Sequence, residues 1–87
     1  MITKEIAILG LIQLFGLRSI EWLNNINSRE SVLFTRRYIL NQYTNLNSAN
    51  MEQLDKLYTI LCYLNTLYLS FEEYEPFEIN EFCGENN

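Results

Sequence analysis

The chain has no histidine, one proline, three glycines, two cysteines and only six basic side chains in 87 residues. Without histidine, the group that most often moves protons near neutral pH is missing, so catalysis would have to rest on a tuned carboxylate, tyrosine or thiolate. No arrangement of residues supplies that tuning, and an enzyme is the least favoured class. Cys62 sits inside an apolar helical pattern and Cys83 beside Gly84 in a polar stretch. With no close cysteine pair and no histidine, a zinc site is disfavoured, and the two thiols read as reduced cysteines of a cytoplasmic protein. The glycines are scattered, which removes the phosphate-cradling loops of nucleotide-binding proteins. Neither a cofactor nor a metal is expected.

Long apolar runs are also scarce. Ile6 to Leu17 has a single polar residue, Gln13. It is much shorter than the roughly twenty residues a bilayer core requires. Its flanks carry Lys4 balanced by Glu5 and no small-residue cleavage site, unlike a secretory signal. It reads as a buried helix, and no membrane association is expected.

What is present is helical periodicity. Thr3 suits an N-cap, Gly16 suits a helix end, and the first helix spans residues 4 to 15. Leu17, Ile20, Leu23 and Ile26 recur at every third position and predict a short second helix, closed by the asparagine-rich cluster that follows. Ser28 caps a third helix running to about Tyr43, with Glu30 placed favourably in its first turn. At about 100° per residue, Val32, Leu33, Ile39, Leu40, Tyr43 and Leu46 share one stripe, and Phe34, Tyr38, Asn41 and Asn45 fall opposite. Arg36 lies inside the apolar stripe.

Residues 45 to 50 form a turn by composition. Asn50 and Gln53 have capping-box spacing and open a fourth helix over residues 51 to 74, which Pro76 stops. More than half of that helix is apolar, leaving Asp55, Lys56, Thr59, Tyr63, Thr66 and Ser70 for water. Asn65 is a misfit among Leu61, Leu64 and Tyr68; a buried amide needs a hydrogen bond, and one such residue can fix register at an interface. The expected fold is all-α, a small bundle of three to four helices over residues 1 to 74, with an acidic, non-helical tail over 75 to 87.

Charge is partitioned along the chain. Residues 71 to 87 hold six glutamates and no basic residue, whereas residues 1 to 70 hold six Lys/Arg against five Asp/Glu, which together give the net −5. The tail glutamates lack the alternating, glycine-centred spacing of a calcium loop. Spaced glutamates can instead stand in for phosphates on a basic groove, with interleaved aromatics filling base-stacking pockets. Glu72, Glu73, Tyr74, Glu75, Phe77, Glu78, Glu81 and Phe82 are the candidate partner-binding residues. The same tail also reads as a device that keeps a sticky body soluble. Arg36, Arg37 and Asn65 are candidates for an internal or intersubunit contact, the arginines toward tail carboxylates.

Two strongly apolar helices in so small a bundle leave surface to cover, and a two-fold homodimer is the simplest cover. In composition alone the chain resembles short, asparagine-, isoleucine- and tyrosine-rich proteins of AT-rich viruses, plasmids and bacteria. The sequence therefore points to a non-enzymatic, dimeric accessory or antagonist protein. It would block or escort a basic, nucleic-acid-handling protein in the cytoplasm of the producing or host cell. A purely structural, homo-oligomeric subunit is the alternative. A helix-turn-helix regulator, with the arginines and Asn41 facing DNA, ranks third because an acidic chain attracts phosphate poorly.

Overall fold

A computed structural model describes residues 2–46 and 50–72, and every regular element among them is a helix. Helix α1 covers Lys4–Phe15, a 3-10 helix covers Leu17–Leu23, α2 covers Arg29–Thr44 and α3 covers Met51–Glu72. The expected all-α bundle is present. The tail from residue 73 onward, and with it the domain boundary after residue 74, lies outside the described residues.

Local chemistry sets each start and stop. The Thr3 hydroxyl accepts from the Ile6 N–H at 3.3 Å, taking one of the unpaired donors at the α1 N-terminus. Gly16 ends α1 at φ 98° and ψ 171°, a conformation essentially reserved for glycine. The three-residue recurrence after it is the repeat of a 3-10 helix, which has three residues per turn. At α2, the Ser31 N–H donates to the Ser28 hydroxyl at 3.2 Å, and the Ser31 hydroxyl accepts from the Ser28 N–H at 2.9 Å, a capping box closed by a second serine. At α3, Gln53 N–H donates to Asn50 Oδ1 at 2.9 Å and Asn50 N–H to Gln53 Oε1 at 3.2 Å.

The core joins Leu11 and Leu14 of α1, Leu23 of the 3-10 helix, Val32 and Ile39 of α2, and Leu57, Ile60 and Leu64 of α3. Helix α3 is the shared wall, with α1 and α2 both packed against it. Gly10 brings α1 in close: a Cβ added there would lie 3.4 Å from Ile60 Cγ1 and 3.5 Å from the Lys56 carbonyl oxygen. This approach explains why Lys56 and Tyr63, assigned to solvent by periodicity, are half-buried. Asp55, Thr66 and Ser70 face solvent as expected, and the exposed side of α3 extends to Tyr58, Cys62, Asn65 and Leu69, with Tyr58 57% and Leu69 51% exposed.

On α2, Leu33 is a correction to the predicted stripe. It is 46% exposed, while Thr35 is buried. Val32, Thr35 and Ile39 define the inward face, and Leu33 falls about 100° from Val32, beyond the reach of α3.

Partial burial on α3, followed by the Glu5 carboxylate of α1, pushes the Tyr63 phenol above its ordinary 10.0. A neutral phenol whose folded pKa is raised contributes its stability in full below the unfolded value. That contribution is lost as pH rises from the unfolded pKa through the folded one. In urea melts above pH 10, wild type should therefore lose stability faster than Tyr63→Phe. Parallel pH profiles for the two proteins would refute this.

Candidate functional site

The 3-10 helix and the outer side of α2 enclose an open cleft of about 700 Å³. It forms because Leu23 and Ser19 turn inward, leaving Trp22 half-buried at the rim. The Ser19 hydroxyl donates to the Gly16 carbonyl at 2.7 Å and anchors the segment to the end of α1. The Trp22 ring sits between two others: Phe15 at 5.1 Å between centroids and 52°, and Tyr38 at 5.0 Å and 85°, an edge-on contact. Such tilted and T-shaped arrangements match the ring quadrupoles and hold the rings in place.

Helix α2 supplies the other wall through Ser31, Phe34, Thr35 and Tyr38. Phe34 and Tyr38 are four residues apart and so lie one above the other; they are 68% and 39% exposed. Asn24 and Asn25 border the cleft where the 3-10 helix ends, and Glu21 is the one charged residue among those that line it. The loop between the walls is pinned by Ser31, whose hydroxyl accepts from the Asn27 and Ser28 N–H groups, each at 2.9 Å, and donates to the Ser28 carbonyl at 2.8 Å. The lining offers aromatic rings, amides and one carboxylate without a neighbouring histidine, lysine or cysteine.

The residues singled out from sequence lie elsewhere. Arg36 and Arg37 are exposed on α2, and among the described residues neither makes an ion pair. Periodicity places Arg36 inside the apolar stripe, yet the residue is exposed, as the long arginine side chain allows. Asn65 is exposed as well, on the side of α3 that also exposes Tyr58 and Leu69, so its amide has no need of a hydrogen bond inside the bundle. Cys62 is an exposed free thiol one turn earlier. Arg29 places its guanidinium carbon 5.6 Å from the centroid of the Tyr68 ring, a cation–π contact that ties the start of α2 to the last third of α3. Glu72 is the last described residue of α3, and Glu73, Tyr74, Glu75, Phe77, Glu78, Glu81 and Phe82 lie outside the described residues.

Sequence reasoning missed the cleft. The available signal was the pair Phe34 and Tyr38 on the polar side of α2, where two large rings one turn apart are out of place, together with the single tryptophan in the preceding segment. Among the described residues, no group of three or more acidic or thiol side chains is gathered to hold a metal ion. No described helix is long and apolar enough to cross a membrane. No protein-family model, curated protein or solved structure matches this chain.

Proposed function

We propose that this chain is a non-enzymatic protein-binding module that captures a basic partner and blocks or escorts it. The partner is a nucleic-acid-handling protein, and the chain acts on it in the cytoplasm as a small accessory or antagonist protein of viral or mobile-element type. The observation that carries this reading is where the charge falls relative to the helical body. Up to the end of α3 at Glu72 the chain holds six basic and six acidic residues, and the five glutamates beyond it carry the whole net −5. A neutral bundle bearing a segment of one charge sign offers directional attraction to a positive surface, and the aromatics between the glutamates add apolar contact.

The test compares native-lysate capture by full-length wild type with capture by a variant in which Glu73, Glu75, Glu78, Glu81 and Glu85 are glutamine. Wild type should retain a basic protein whose binding weakens steeply with added salt, and the variant should lose it. Retention of the same protein by both chains, or capture of a protein that is not basic, would remove the reading.

A second reading, self-association, is favoured by the outer side of α3, where Met51, 75% exposed, joins Tyr58 and Leu69 with Cys62 and Asn65 between them. These positions follow a four-three spacing that lines one side of a helix. Light scattering on the same two proteins tests self-association, and partner capture separates the two readings. A homo-oligomeric subunit keeps a multiple of the chain mass when the tail charge is removed, whereas a mass of one chain in wild type excludes it.

A further inference from the structure

We propose that the cleft between the 3-10 helix and α2 is a receptor for one arginine side chain of the partner. The inference rests on the reading of a basic partner and names where one of its cations is held. Its occupant follows from the charge and shape of the lining. Glu21 is the only charged group among the lining residues, so the cleft favours a cation and has no lysine or arginine to repel one. Trp22 and Tyr38, both in the lining, meet edge-on at 85°, and Phe34 stands 68% exposed one turn from Tyr38, so the cleft is rich in aromatic surface. A cation within about 6 Å of such ring faces is attracted by their quadrupoles.

Arginine fits better than lysine. Its guanidinium is flat, weakly hydrated and stacks on rings, and its fork of N–H donors can engage a carboxylate while others remain free for acceptors nearby. Glu21 supplies the carboxylate, and Asn24 and Asn25 in the same lining carry amides whose oxygens are acceptors. The cleft volume of about 700 Å³ admits the side chain together with the flanking backbone of an extended segment. The cleft and the acidic tail are thus separate contributions: the tail draws a positive surface near, and the cleft reads one residue on it.

The single tryptophan in the chain is part of the cleft wall, so its emission and indole N–H shift report occupancy directly. Full-length protein is titrated with N-acetyl-arginine N-methylamide and, as the uncharged isostere, N-acetyl-citrulline N-methylamide. Arginine should give a saturable Trp22 response at least about tenfold tighter than citrulline, as expected for a charge-assisted contact. Glu21→Gln should remove most of that preference, and Phe34→Ala should weaken arginine binding about threefold. Both substituted side chains are exposed, and an unchanged melting curve verifies the fold. The variant with the five tail glutamates replaced should respond as wild type does. Equal responses to arginine and citrulline, indifference to Glu21→Gln, or loss of the response in the tail variant would each overturn the proposal. Partner capture that fails while the Trp22 response persists would refute the tail reading and leave the arginine receptor standing. The converse result would do the opposite.

Discussion

Replacing Ile39 with alanine is expected to cost about 2–5 kcal/mol, the range for deleting most of a large aliphatic side chain from a core that cannot fully collapse around the gap. Ile39 is 0% exposed, and its cluster includes Leu57, Ile60 and Leu64 of α3, so the cavity would open at the seam between α2 and α3. A chain of 87 residues has a total stability of only about 4–13 kcal/mol. The substitution therefore removes a large share of it and should lower the melting temperature by about 10 °C or more. The control is Leu33→Ala, at a position of the same predicted stripe that is 46% exposed, where the change should stay near about 0.5 kcal/mol. Urea melts with a shared m-value give both numbers. Equal losses at the two positions would mean that the inward face of α2 is not the one formed by Val32, Thr35 and Ile39.

The second large effect is expected at Gly16. Its φ of 98° and ψ of 171° lie where an L side chain is strained, and a Cβ placed there meets no heavy atom within 4 Å. The cost of Gly16→Ala is therefore one of backbone strain, not collision, and should be about 1–3 kcal/mol. The sign of φ permits a sharper version of the experiment. D-alanine at position 16, introduced by chemical ligation, is the mirror case: its preferred extended conformation coincides with the one observed. It should match or exceed glycine in stability, because it also narrows the unfolded ensemble. If the L and D residues were equally damaging, the joint between α1 and the 3-10 helix would depend on something other than the sign of φ.

Most of the secondary structure was legible because its signals are local. Thr3, Ser28 and Asn50 have oxygen acceptors at the right offset from the first turn, and their capping hydrogen bonds need only neighbours three residues away. Gly16 and the three-residue recurrence behind it marked the change from α1 to the 3-10 helix in the same way. The inward faces were legible only in part. A hydrophobic arc wider than its neighbours can cover has no unique orientation until those neighbours are placed. That is why Leu33, assigned to the apolar stripe of α2, is exposed, and why Lys56 and Tyr63, assigned to solvent, are half-buried.

The candidate site was the least legible part. Its walls come from Glu21 to Asn25 and from Ser31 to Tyr38, and the rings meet only because the 3-10 helix turns back toward α2 after Gly16. Nothing in the spacing between Trp22 and Tyr38 encodes their contact at 5.0 Å.

By itself the sequence determined that this protein is helical, where its helices start, and that its negative charge is gathered at one end, since capping, periodicity and charge are properties of neighbouring residues. The tertiary structure decided the rest: Gly10 seats α1 on the Lys56 and Ile60 side of α3, and that placement chooses which part of an over-wide apolar arc is buried. Tertiary packing also brings Tyr38 edge-on to Trp22 and sets Phe34 with them in the lining of an open cleft. The physical reason is that burial belongs to pairs of surfaces, and a helix cannot determine its own partner.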